Sequence, residues 1–463
     1  MKRLHPTLLA AACLLLSGCG SLVPPTGEAA PQLRHDFRLS MTPIDIRTDT
    51  VNEWDGFFAD ERLRKVVGIA LLENRSLRAS AAAVERARAQ HRITEADRIP
   101  DLNAGASASR QRAGGVTTSS YSVNLGLASY EIDFFNRLGS LEGAALARYL
   151  AQQETQRSAR LSLVAEVSNA WLTLAAEQQR LALAQQLRDS QQRTLSLTEQ
   201  RHQLGAASGL ERARARTAFE AARGEATRAQ TAVTQARLQL ELLAGQPLPG
   251  DLVPDAQDLQ ALTALPAIPP GLPAEVLLQR PDLRAAEQQL QAAAFDIGAA
   301  RAARFPRLTL TASAGTRSPE LDGLFKSGTG FWSLLPQLDL PIFDGGARAA
   351  QVDASEASRR QVLANYEATL QSAFREAADA LAVRDGLAER LDAQQAQVAA
   401  AAQSLRLSED SYRLGGSSQL ELLDAQRQLA SAQQSLVTLR QTEQVNRVTL
   451  LRALGGRWGP DGR

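Results

Sequence analysis

The sequence predicts a mostly α-helical protein with some β-strand, built as a duplicated helix-strand-strand-helix-helix repeat. Three observations carry that reading. Two stretches of more than 100 residues, between Pro100 and Pro247 and between Pro341 and Pro460, contain no proline. Proline costs about 3 kcal/mol inside a helix, so these runs permit very long unbroken helices. The halves also repeat: LLENRSLRA at 71–79 matches LLQRPDLRA at 277–285, and RIPDLNAGASA at 98–108 matches RFPRLTLTASA at 304–314, both at an offset of 206. Phe135 to Gly139 matches Phe343 to Ala347 at 208, and RLQLELLAG at 237–245 matches RVTLLRALG at 447–455 at 210. A nearly constant offset over the length of both halves marks an internal duplication. Finally, four segments of about ten residues alternate polar and apolar side chains, the period of a strand with two unlike faces.

The chain opens with Lys2-Arg3 and an apolar run from Leu8 to Leu16, the layout of a secretory signal over 1–18. Leu16-Ser17-Gly18-Cys19 then resembles a bacterial lipoprotein signal, which makes Cys19 the acylated first residue of the mature chain. Gly20 after it resembles sorting to the outer membrane. Residues 19–62, with Pro24, Pro25, Pro31 and Pro43, read as an extended leash behind the lipid. A first repeat is expected over 63–246, a proline-rich connector over 247–273, a second repeat over 274–456 and a tail over 457–463.

Within the repeats, helices are expected at 63–98, 139–204 and 210–244, and again at 273–304 (broken near Pro281), 346–414 and 420–454. At 1.5 Å per residue the longest of these would span about 100 Å and the others about half that. Leu429, Ala432, Leu436, Leu439, Glu443, Asn446, Leu450 and Ala453 step by three and four residues, a coiled-coil seam. Leu363, Tyr366, Leu370, Ala373, Ala377 and Ala380 do the same, and Val164, Val167, Trp171 and Leu174 begin another.

Strands are expected at 102–112, 121–131, 307–317 and 330–340. Val123, Leu125 and Leu127 alternate with Ser122, Asn124 and Gly126; Leu308, Leu310, Ala312 and Ala314 alternate with Thr309, Thr311, Ser313 and Gly315. Such segments suit a transmembrane barrel with a wet lumen. Four strands cannot close a barrel, and open edges are not tolerated in lipid, so several chains would have to share one.

Other classes find little support. Lys and Arg number 51 against 50 Asp and Glu, with Arg scattered among the acids, which argues against nucleic-acid binding. The four histidines, at 5, 35, 91 and 202, show no metal-ligand spacing, and lysine occurs only at 2, 65 and 326, away from any phosphate loop. Neither a catalytic residue, a metal nor a cofactor is expected beyond the lipid on Cys19. His202 reads as an exposed helix-end residue.

The lipobox at Cys19, RPDLRAAE from 280, LPIFDGGAR at 340–348, YRLGGSSQLELLDAQR at 412–427 and LLRALGGRW at 450–458 together resemble the TolC-type outer-membrane channel family. The match is to its lipoprotein branch, the NodT-like efflux lipoproteins, over essentially the whole mature chain. The resemblance implies a homotrimer with a 12-stranded β-barrel in the outer membrane and a long α-helical coiled-coil tunnel in the periplasm. It implies a passive exit duct for small molecules. The partners implied are a membrane-fusion adaptor and an inner-membrane transporter of the resistance-nodulation-division type, which would supply the energy. It also implies a periplasmic gate in which Asp424 forms a carboxylate ring, Tyr412 and Arg427 hold the mouth shut and Leu420 forms an apolar ring. Gly205, Ala206, Ala207 and Ser208, with Gly415, Gly416, Ser417 and Ser418, resemble the tips that meet the adaptor. An exit channel for secreted proteins, and a non-conducting lipid-anchored scaffold, are the alternatives; the four amphipathic strands count against the second.

Overall fold

The computed structural model describes residues 22–25, 57–256 and 275–456. The signal segment with Cys19, most of the leash, the later connector (257–274) and the tail lie outside the described residues. The elements are α1 (Glu61–Glu73), α2 (Arg75–Ala96), β1 (Leu102–Ala113), β2 (Val116–Ile132), α3 (Arg137–Gln203) and α4 (Gly209–Ala244), followed by a 3-10 turn at Gly250–Leu252. The second half gives α5 (Glu275–Leu278), α6 (Pro281–Ala302), β3 (Arg307–Ser318), β4 (Gly330–Asp339), α7 (Ala347–Arg413) and α8 (Gln419–Ala453). Both α3 and α7 run for 67 residues. No helix among the described residues is long and apolar enough to cross a membrane.

Packing divides the chain into two units, each drawing on α3 and α7. The first holds Ala82–Glu154 and Asp282–Thr369, and with them the sheet. Its strands lie antiparallel in the order β1-β2-β3-β4. Gly114 and Gly115, at φ 58° and 80°, make the two-residue turn from β1 to β2, where only a positive φ at both positions matches the strand twist. The register puts Ala104, Ala106 and Ala108 opposite Leu125, Val123 and Tyr121, and Ala314 and Ala312 opposite Trp332 and Leu334. That face is apolar. The other carries Ser107 against Ser122 and Ser313 against Ser333, each pair hydrogen-bonded at 2.8 Å. Below a bulge between Leu127 and Tyr130 the strands pass into helices. Asp133 accepts the Arg137 and Gly139 amides (2.6 and 2.9 Å), satisfying donors that a helix start leaves bare. Phe135 stacks on Phe305 at 4.6 Å, and the Phe295 ring closes over Gly143, where a Cβ would sit 2.8 Å from it.

The second unit takes Thr155–Pro281, the chain from Leu370, and residues 57–81. Its main core joins Leu63, Val66 and Val67 of α1 to Val164, Val167, Trp171 and Leu174 of α3 and Leu240 of α4. Trp171 is fully buried and lies under the Arg62 guanidinium.

Two sequence expectations need correction here. The leash does not reach residue 62: Phe57 and Phe58 are 4% and 2% exposed, stacked edge to face at 4.9 Å, and Asp60 caps α1 by accepting the Arg62 and Leu63 amides. Two aromatic side chains are costly to leave in water, so the chain is fixed as soon as they reach the core. Nor is 63–98 one helix. It breaks at Asn74, whose backbone turns extended (ψ 124°) and whose Oδ1 accepts the Leu77 amide at 3.0 Å. Arg75 takes the place that Pro281 holds in the second half, so proline announces only one of two matching breaks.

α8 also departs from the single seam read in it. Ala432, Leu439, Asn446, Leu450 and Ala453 of that seam are buried, while Leu429, Leu436 and Glu443 are only partly so. A second line, Gln419, Gln426, Val437, Gln444, Val448 and Leu451, is buried as well.

Candidate functional site

The residues singled out by the sequence gather where α3 turns into α4 and α7 into α8. Both turns are built alike. Gly205 and Gly415 take the left-handed conformation (φ 74° and 80°) that ends a helix without a Cβ clash. The next amides, Ala206 and Gly416, donate back to Arg201 O (2.7 Å) and Ser411 O (2.8 Å). Ser208 and Ser418 then start α4 and α8 with reciprocal capping boxes to Glu211 and Glu421. At the first tip the Ser208 amide (2.6 Å to Oε2) and hydroxyl hold the Glu211 carboxyl below its usual range. His202 is half-buried rather than exposed, its Nδ1 2.8 Å from Ala207 O, so it braces the turn from inside.

Gly205, Ala206, Ser208, Gly415, Gly416 and Ser418 are exposed, while Ala207 and Ser417 are half-buried. The tips are not merely small and polar. Leu204 and Leu414 stand 84% and 87% exposed, and Leu210 and Leu420 follow at 60% and 50%. Leucines at matching places on two tips, left in water, form an apolar end, of which the family resemblance implied only Leu420.

Asp424 lies on α8 in the turn after Leu420. Its Oδ1 accepts from Arg427 Nη2 at 2.8 Å and its Oδ2 from Gln428 Nε2 at 2.7 Å. Tyr412 does not share this group within the chain; its ring lies under the Arg201 guanidinium, 5.4 Å away. Asp424, Arg427 and Leu420 thus occupy one exposed patch of α8, and Tyr412 braces the end of α7 against α3.

Behind that patch runs a set of contacts that no apolar pattern could reveal. Gln419 Nε2 donates to Thr198 Oγ1 at 3.0 Å. Seven residues on, Gln426 accepts from Gln191 Nε2 at 2.9 Å and donates to Ser190 Oγ at 3.2 Å. Further along, Arg180 donates to Gln441, and Gln441 to Thr173. The α3–α8 interface near the tips is therefore held by buried amides and hydroxyls at heptad spacing. Such contacts specify register, yet contribute less than apolar packing to holding the helices together. Four helices of this unit border an open groove of about 700 Å³, lined by Glu177, Arg180, Glu225, Arg228, Arg390 and Gln394 among others. Arg180 pairs with Glu177, and Arg228 with Glu225. The lining is open and polar, with three arginines against two glutamates, and among the described residues there is no cluster suited to a metal.

The profile of the outer membrane efflux protein family matches residues 66–246 and 272–456. A probable efflux pump outer membrane protein, TtgC of Pseudomonas putida, is 39% identical over 464 residues, spanning 97% of this chain and 95% of that protein. The outer membrane protein OprJ of Pseudomonas aeruginosa is 43% identical over 414 residues, 88% of this chain and 86% of that one. The crystal structure of the open state of the MtrE outer membrane channel of Neisseria gonorrhoeae superposes with a TM-score of 0.86 at 37% identity, covering 96% of this chain and all of that one. With its repeated helix-strand-strand-helix-helix halves, this chain belongs to the outer membrane efflux protein family.

Proposed function

We propose that the chain is the outer-membrane exit duct of a tripartite efflux pump, conducting small molecules passively and gated at its periplasmic tips. One observation carries the reading most: a four-stranded sheet with an apolar and a polar face is continuous, through its strand ends, with two 67-residue helices. A sheet polar on one face and apolar on the other suits a wall between lipid and water. Among the described residues β1 and β4 each pair on one side only. Free edges do not persist in a bilayer, so copies of the chain must supply the missing partners. Three copies would bring twelve strands, and the relatives' names place such chains in efflux pumps.

In the assembled duct Asp424 of each copy would face its equivalents around the tunnel mouth, and Arg427, Gln428 and Tyr412 would restrain it. Carboxylates converging on an axis repel one another and draw in cations, so small shifts of α8 change the opening. The exposed leucines with Gly205, Ala206, Ala207 and Ser208, and with Gly415, Gly416, Ser417 and Ser418, would form the contact with the adaptor. The inner-membrane transporter, of the resistance-nodulation-division type, would supply energy and choose substrates. Cys19 would carry the lipid that fixes the chain in the outer membrane; the lipid is the only group added, and the chain itself catalyses nothing.

The reading is tested in cells that keep the cognate adaptor and transporter but lack this chain. Deletion is expected to raise the accumulation of a fluorescent pump substrate severalfold, and restoring the gene to reverse it. Accumulation unchanged by the deletion, in a strain with no substitute duct, would contradict the reading.

A further inference from the structure

Charge on the sheet is confined to its two ends. Where the strands meet the helices stand Asp101, Glu131, Arg307 and Asp339, acids and bases together, with Arg307 opposite Asp339 in the register. At the other end, beside the Gly114–Gly115 turn, stand Arg110 and Arg112. From Leu102 to Tyr130 the β1–β2 hairpin carries these two arginines and no acidic residue.

The register fixes which face they share. Arg110 lies opposite Ser119 and Arg112 opposite Thr117, in line with Ala108 opposite Tyr121 and Ala106 opposite Val123. Side chains alternate between faces along a strand, so both arginines stand on the apolar face. Both are exposed, and among the described residues neither forms a hydrogen bond or ion pair. Their cross-strand neighbours are small hydroxyls, which crowd neither guanidinium. Other cations at this end are engaged: Arg317 lies over the Phe331 ring at 4.7 Å, and Lys326 pairs with Asp322 at 3.5 Å. Height adds a second argument. Arg112 is ten residues beyond Leu102, about 33 Å along a strand at about 3.3 Å per residue. At a tilt of about 40° that rise is about 25 Å, the height of the apolar band of an outer-membrane barrel. Tyr121, half-buried one step below Arg110 on the same face, is of the residue type that collects at a membrane–water boundary. An arginine facing lipid is costly at mid-membrane, but the cost is small at the boundary, where the side chain reaches for headgroups.

We propose that Arg110 and Arg112 bind the phosphate groups of lipopolysaccharide in the outer leaflet. The inference rests on the duct reading above, which puts the helices in the periplasm and hence the Gly114–Gly115 turn at the cell surface. It adds a lipid site that transport itself does not require. A phosphate accepts two parallel N–H bonds from one guanidinium, which fixes its orientation as well as its charge. Residues two apart on one strand face are about 7 Å from each other, close enough to grip one phosphate from two sides. Charge decides the kind of lipid. A zwitterionic phospholipid brings its own cation to the phosphate and gains little from a second one. A glycolipid phosphorylated on its sugars has no such cation, and a hairpin with two arginines and no acid complements it.

The test is a titration of the full-length purified protein with lipid A, the bound lipid being counted by native mass spectrometry. Arg110→Gln with Arg112→Gln should weaken lipid A binding about tenfold, the loss expected for hydrogen bonds to a charged group. Arg110→Lys with Arg112→Lys should recover part of it. Wild type should prefer lipid A over its dephosphorylated form by a similar factor, a comparison that needs no variant to fold. Equal binding of the two lipids, or of lipid A to wild type and the double glutamine variant, would overturn the site. Displacement of lipid A by millimolar inorganic phosphate would reassign the arginines to free anions and overturn the lipid. Orientation is checked separately with Val116→Cys, which should react with a membrane-impermeant maleimide in intact cells. Reaction only after the outer membrane is permeabilised would put the turn in the periplasm and overturn the duct reading along with the site. Labelling in intact cells with no effect of the arginines on lipid A would overturn the site alone.

Discussion

Asn74 and Arg280 occupy equivalent positions in the two halves, and each ties a helix break to the last turn of the helix that ends its own half. Asn74 Nδ2 donates to Leu243 O at 2.9 Å, and Arg280 Nη1 donates to Ala453 O at 3.1 Å. Leu243 and Ala453 are themselves equivalent, at an offset of 210. Unlike side chains thus perform one task, satisfying a terminal carbonyl while letting a helix restart. Arg280 reaches farther and also pairs with Glu376 at 3.0 Å.

Removing either tie should be felt in stability rather than in conduction. Asn74→Ala loses the cap of α2 and leaves Leu243 O without this donor, a cost of about 1–2 kcal/mol. Arg280→Ala, at a side chain only 8% exposed, should cost about 1–3 kcal/mol. Thermal unfolding read by circular dichroism checks both, and an unchanged midpoint for Arg280→Ala would show that the tie carries no stability.

Gly245 follows in the same knot. It sits at φ 79°, and a Cβ added there would lie 2.5 Å from Glu73 O. Backbone, not a flexible side-chain end, fills that space. Gly245→Ala should therefore destabilise the protein by at least about 1–2 kcal/mol. Gly224, which has open space around it and lies inside α4, is the natural comparison: Gly224→Ala should be neutral or stabilising in the same melt.

The Gln191–Gln426 rung yields a prediction with two signs. Gln426→Ala strands a buried amide on Gln191 and should cost about 1–3 kcal/mol. Replacing both glutamines by leucine removes the polar groups together and should restore much of that loss. A double variant as weak as the single one would show that the rung matters through shape rather than hydrogen bonding.

The first tip should loosen in acid. Hydrogen bonds from Ser208 hold the Glu211 carboxyl below its ordinary value of 4.5 when folded. A depressed carboxylate stabilises the fold above its unfolded pKa, and that contribution is lost as pH falls through the lower, folded one. Amide exchange at Ser208, corrected for intrinsic rates, should thus rise as pH falls below 4.5. Glu211→Gln should show the faster exchange already at neutral pH and no acid step. An acid step persisting in Glu211→Gln would assign it to another group.

Much of this architecture is legible in the sequence because the cues are periodic or steric. Absence of proline allows the long helices, the alternation of Val123, Leu125 and Leu127 with polar neighbours gives a strand, and Pro281 marks a helix start. The break at Asn74 was not legible, because Asn can end one helix and cap the next without any composition signal. The polar rungs of Gln419 and Gln426 were missed for a related reason: a buried glutamine looks like a surface residue until its partner is known. At the tips, small residues announced the turns, while exposure of Leu204 and Leu414 became visible only once both hairpins were folded.

The most direct test of the account is single-channel conductance of the purified protein in a planar lipid bilayer. Wild type should show brief, small openings, and the Asp424→Ala, Arg427→Ala double variant large and long-lived steps. Equal conductance in both would return Asp424 and Arg427 to a surface pair on α8 while leaving the duct. Silence from both, in protein shown to be inserted, would contradict the claim that this chain forms a gated exit channel.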